Sequence, residues 1–127
     1  MITADTSTWV AFLNGDPGDD VLLLKRMLQS HQLAMLPVVL TGLLSDPGLP
    51  VALAASFVDL PLVEVEPGFW QRAGALRAKV LGKGRRARLG DSLITQLCID
   101  AGLTLITRDR DFRFFAEASS LALQLSP

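Results

Sequence analysis

Thr104-Leu105-Ile106-Thr107-Arg108-Asp109-Arg110-Asp111-Phe112 begins as an apolar, β-branched run and ends in a burst of charge. Residues 104–107 suit a covered strand, and the aspartates that follow suit a strand-to-helix turn, with a short helix expected after Asp109. Immediately upstream, Asp91-Ser92-Leu93-Ile94 opens a helix that reaches about residue 101. Near the start of the chain the same arrangement recurs. Residues 1–4 read as a buried strand running into Asp5-Thr6-Ser7, whose small oxygen-bearing side chains can cap a helix carrying Trp9, Val10, Phe12 and Leu13.

Short apolar runs alternate with helical patterns through the rest of the chain. Gly15-Asp16-Pro17-Gly18 breaks the first helix, and Asp19 or Asp20 starts a second through Val21, Leu24, Met27 and Leu28, whose spacing makes one apolar face. Residues 33–36 read as a second strand, and Pro37 opens a helix to about 45, since its missing N–H has no partner in a first turn anyway. A helix over 50–59, a strand over 62–65 and a long helix from Pro67 through Trp70, Ala73, Leu76 and Val80 follow, with a last edge strand at 122–125. Parallel crossovers need a dozen or more residues. The expected fold is therefore α/β, a three-layer sandwich with a central, mostly parallel sheet of four to five strands, forming a single domain over residues 1–127.

With 127 residues the chain can bury a core without disulfides. Its one cysteine, Cys98, sits in an apolar run and reads as a small buried hydrophobe. Neither a long apolar stretch nor a signal-peptide start is present, so a soluble, cytoplasmic protein with no membrane partner is expected. A GxxxxGK[ST] phosphate loop is absent, and the single histidine, His31, has no triad or zinc-ligand companions and reads as a surface residue. Net charge is −1, but unevenly spread: residues 1–66 hold two basic and eight acidic side chains, residues 67–127 ten basic and five acidic. The second half can accordingly face an anionic partner, or be an ordinary solvated surface.

Sites in open parallel sheets form beyond the carboxyl ends of the strands. Asp5 and Asp109 follow two such ends, and Asp91 opens the helix feeding the second, so three aspartates from distant parts of the chain are expected on one edge. Each taken singly is also a reasonable helix cap. Capping, however, does not require three carboxylates to share one corner, and a hard divalent cation, Mg²⁺ or Mn²⁺, is the usual compensation.

Asp5-Thr6-Ser7-Thr8-Trp9-Val10, the stretch from Leu36-Pro37 through Thr41 to Leu43-Leu44-Ser45-Asp46-Pro47, Asp91-Ser92-Leu93-Ile94 and Leu105 to Phe112 together resemble the PIN-domain family, in particular VapC-like toxins of type II toxin–antitoxin pairs. The resemblance spans essentially the whole chain. It implies a PIN-like fold and a metal-dependent endoribonuclease in which Asp5, Asp91 and Asp109 hold Mg²⁺ or Mn²⁺ and metal-activated water hydrolyses RNA phosphodiesters. Thr6 and Thr107 correspond to hydroxyls that steady the carboxylates, Asp111 to an accessory acid. A cognate antitoxin and homodimer formation are implied as well.

One position departs from the family pattern. Gly42 stands where a glutamate of the metal site is expected, and a helix-interior glycine costs roughly 1 kcal/mol relative to alanine. Asp46, one turn on, reads as the end of the helix rather than a substitute. Reduced metal affinity and activity are expected, and a non-catalytic PIN-fold protein that keeps antitoxin or RNA binding is the alternative. The glycine-broken basic segment with Lys83, Arg85, Arg86 and Arg88 runs directly into Asp91 and can line a path for RNA, with Arg108, Arg110 and Arg113 near the same edge.

Overall fold

The computed structural model describes residues 1–126. Three parallel strands form the sheet: β1 (Ile2–Ala4), β2 (Thr104–Thr107) and β3 (Ala122–Leu125), with β2 in the middle. Ile2 pairs with Thr104 and Ala4 with Ile106, while Thr107 pairs with Leu125. β2, with a strand on either side, buries Leu105, Ile106 and Thr107 completely.

The expected second and third strands are reduced to isolated parallel bridges, Ile2 with Leu33 and Met35 with Leu62, which prolong the row of strands beyond β1. Prolines explain the truncation. Pro37 opens α3 (Pro37–Leu44) directly after Leu36, and Pro61 offers its carbonyl to the Met35 N–H but has no N–H to return.

α1 (Thr6–Leu13) and α2 (Asp19–Gln29) pack against one another and against β1 and β2. α5 (Phe69–Gly82), α6 (Leu89–Ala101) and α7 (Phe112–Ala118) form a second group, α6 on β2 and α7 on β3. The buried face of α5 is Phe69, Ala73, Leu76 and Val80. Trp70, expected on that face, is 64% exposed, and Phe69, one residue earlier, takes the inward position instead. Trp9 is buried, edge-on to Phe57 of α4 (Val51–Val58) at 5.3 Å, whereas Phe12 is only half-buried. Cys98 is buried, its thiol pushed up to about 12 by loss of water, and His31 is exposed. No helix among the described residues is long and apolar enough to cross a membrane.

α6 ends at Gly102, whose φ of 65° is the left-handed region glycine enters freely, so the chain reverses straight into β2. At the other end of β2 an ion pair fixes the turn. Arg108 donates from Nε and Nη2 to the two carboxylate oxygens of Asp20, both at 2.7 Å, and from Nη2 to the Pro17 carbonyl. Thr8 adds a hydrogen bond to Asp20 at 2.9 Å, so α1, α2 and the β2 turn meet on one buried carboxylate. Gly18 makes room: a Cβ there would fall on Arg108 Nη2 and Asp20 Oδ1. The guanidinium, backed by Thr8, holds the Asp20 carboxyl down to about 2.

Leu105→Ala should cost about 3 kcal/mol in urea unfolding, whereas Val51→Ala, at a side chain 86% exposed, should stay within about 0.5 kcal/mol of the parent. Equal effects would contradict the assignment of β2 as the core strand. The Asp20 pair makes a second expectation. With the folded value lowered below 3.8, its contribution is present above that value and fades as pH falls toward 2. Arg108→Ala, which strands the Asp20 charge, should therefore lose about 3 kcal/mol at pH 7 and much less at pH 3; a deficit independent of pH would refute the pair's role.

Candidate active site

Because β1 and β2 run parallel in this register, their carboxyl ends lie side by side. The Asp5 N–H continues the ladder to the Ile106 carbonyl at 3.2 Å, which sets Asp5 beside Thr107. Asp5 caps α1, accepting from the Thr8 N–H at 3.3 Å, and its carboxylate takes two hydroxyl donors: Ser7 Oγ on Oδ1 at 2.7 Å and Thr107 Oγ1 on Oδ2 at 2.8 Å. Thr107 Oγ1 also accepts from the Asp109 N–H at 2.9 Å, so one hydroxyl couples two of the aspartates. Asp109 Oδ1 in turn accepts from the Asp111 N–H at 3.0 Å.

Asp91 is not a cap. The N-cap of α6 is Arg88, which places Asp91 as its third helical residue. Its Oδ2 is buried and has no hydrogen-bond partner among the described residues. Burial pushes the Asp91 carboxyl up to about 6, helped by repulsion from Asp109, Asp5 and Asp111 and opposed by Arg88. Asp5 is raised by burial and by Asp109, against the pull of its three donors. The carboxylates are thus near enough to repel one another. They do not converge on a point, and no group of three His, Cys, Asp or Glu side chains among the described residues is arranged to hold a metal ion.

A divalent cation nevertheless suits the residues present. The donor set is entirely carboxylate, which matches a hard ion, and the orphaned Asp91 oxygen is buried without a hydrogen-bond partner among the described residues. Gly42 lies exposed on α3, with only Thr6 Oγ1 near the position of an added Cβ, at 3.6 Å. That is ordinary van der Waals distance, so a Cβ is accommodated there and a glutamate's stem would start beside Thr6. Thr6 therefore faces Gly42, while the hydroxyls that reach Asp5 are those of Ser7 and Thr107. Asp46 accepts from the Gly48 N–H in the exposed turn after α3.

Among the basic residues, Lys83, Arg85, Arg86 and Arg88 are all exposed on the connection between α5 and α6. Arg86 reaches Asp111 at 3.7 Å, which turns the accessory acid toward the basic connection. Arg85 lies over the ring of Phe114. Arg108 is withdrawn from any outward role by Asp20. From the sequence, Ser7 and Asp20 were read only as helix-start residues, and Phe114 had no role at the site. Ser7 had a local signal, two residues after Asp5, whereas Asp20 and Arg108 are 88 residues apart with nothing local to link them.

The PIN domain family model matches residues 2–118. No curated protein sequence matches the chain. Solved structures do: VapBC2 from Rickettsia felis bound to a DNA fragment from its promoter, at 22% identity and TM-score 0.73, covering 98% of each chain; FitAcB from Neisseria gonorrhoeae, at 20% identity and TM-score 0.74, covering 97% of this chain and 96% of that one; and VapBC-5 from Mycobacterium tuberculosis, at 20% identity and TM-score 0.63, covering 98% and 95%. At these identities the structural likeness concerns the fold, but the sequence match runs through β1, β2 and all seven helices, and the chain belongs to the PIN domain family.

Proposed function

We propose that this chain is a VapC-like toxin of a toxin–antitoxin pair, a metal-dependent endoribonuclease weakened by glycine at position 42. The observation that carries this reading is Asp91: a carboxylate with one oxygen buried, unpartnered and repelled by Asp5 and Asp109 has a use if a cation completes it and a cost otherwise. Asp5, Asp91 and Asp109 would hold a Mg²⁺ or Mn²⁺ ion, which would supply Lewis acidity toward water and a phosphate oxygen.

The chain's own residues do the rest. Ser7, Thr107 and the Thr8 N–H leave the Asp5 carboxylate little freedom to turn. Thr107 ties Asp5 to the Asp109 backbone, so the two move together. Arg88 tempers the repulsion at Asp91. The exposed basic connection draws the phosphodiester backbone of RNA toward the corner. Solved relatives named VapBC and FitAcB, one of them bound to promoter DNA, support a cognate antitoxin as partner; homodimer formation and a cytoplasmic setting belong to the same reading.

Gly42 supports a second reading, a PIN-fold protein that binds antitoxin or RNA without cutting. Cleavage of a panel of structured RNAs in Mn²⁺ separates the two. The Gly42→Glu form should cut at least about 10-fold faster than the native chain, and Asp5→Asn in that background should abolish the gain. RNA bound by folded protein but cut by none of the three forms would replace the enzyme with the binding protein.

A further inference from the structure

Ten of the chain's basic residues lie beyond residue 66, and several are already engaged. Arg72 is held by Asp100, Arg108 by Asp20 and Arg86 by Asp111. Arg77 Nε donates to the Ala87 carbonyl and Lys79 Nζ to that of Ala118, so both serve as struts at the α5 end of the molecule. Arg85 and Arg113 are different. Both are exposed, neither forms a salt bridge among the described residues, and both guanidinium groups lie over the same half-buried ring, Phe114, at 5.1 and 5.6 Å from its centre.

Two like charges over one ring repel each other, and the cation–π attraction of each to the ring steadies its position without neutralising it. Arg113 is steadied further by donation from Nε to the Arg110 carbonyl at 2.9 Å. Their location is set by a latch. Arg86, adjacent to Arg85, reaches Asp111, whose N–H donates to Asp109, so Arg85 on the connection and Arg113 in the first turn of α7 stand beside the acidic corner.

Resting on the ribonuclease reading above, we infer that Arg85 and Arg113, carried on Phe114, form a subsite for a backbone phosphate of single-stranded RNA adjoining the carboxylate corner. Planar guanidinium forks match phosphate oxygens, and pre-positioning on an aromatic ring lowers the ordering cost of closing on one. Arg86 serves as the latch that docks the connection on Asp111, and the Phe114 ring, occupied by the guanidiniums, serves as a platform for charge.

The test is fluorescence anisotropy of labelled oligouridylate RNA with the full chain in EDTA, which permits binding without cleavage, across a salt series. Arg85→Ala and Arg113→Ala should each weaken binding several-fold and each lower the salt slope by about 0.7, the loss of one single-strand phosphate contact. Phe114→Leu should weaken binding with both charges still present, and Arg26→Ala, on the last turn of α2, should leave it unchanged. Circular dichroism of each variant excludes unfolding as the cause. If the native chain binds RNA and both arginine variants bind it equally well, the subsite is refuted while the ribonuclease reading stands. A native chain that binds no RNA refutes both. Weakened binding of a poly-glutamate peptide with RNA binding unchanged would mark the pair as an acidic-peptide site and overturn the inference.

Discussion

The parallel pairing of β1 with β2 is the constraint from which the rest follows. Ala4 opposite Ile106, prolonged by the Asp5 N–H on the Ile106 carbonyl, makes the two strands end together. A slip of one residue would turn every side chain of β1 to the opposite face, burying Asp5 away from Thr107 and dissolving the link between their carboxylate and hydroxyl. The sheet's hydrophobic burial and the site's geometry are thus set by one register.

What is built on that register runs against local stability. Asp5 is desolvated but compensated by three donors; Asp91 is desolvated and left with an unpartnered oxygen facing other acids. The contrast with Asp20 is instructive, since that carboxylate is more fully covered than Asp91 yet is matched by a two-pronged guanidinium and a threonine. The fold can satisfy a buried aspartate fully when the aspartate is a strut. It leaves Asp91 unsatisfied, and strain of this kind collects where a ligand is expected to relieve it.

Much of this was legible in the sequence because it depends on where strands end. Asp5 and Asp109 each follow a short apolar run, so parallel pairing alone puts them on one edge. Asp91 was expected on the same edge, with capping as its ordinary alternative; it is instead the third residue of α6, because helix starts are blurred by a residue or two and Arg88 carries no capping side chain. The strands expected at 33–36 and 62–65 shrank to bridges because adjoining prolines limit their amides, and Trp70 lost the inward position to Phe69 because both fit a helical period. The Asp20–Arg108 pair and the stacking of Arg85 on Phe114 are tertiary: no spacing along the chain encodes contacts between residues 88 or 29 positions apart.

Thermal unfolding of the native chain and of Asp91→Asn at pH 7, each with and without Mn²⁺, reaches the central claim most directly. With its folded pKa near 6, above the unfolded value of 3.8, the ionised Asp91 counts against the metal-free fold at pH 7. The asparagine form should therefore melt higher than the native chain without metal, and Mn²⁺ should raise the melting temperature of the native chain but not of the variant. An asparagine form that melts lower, or one that Mn²⁺ stabilises as much as the native chain, would contradict a carboxylate corner held together for a cation.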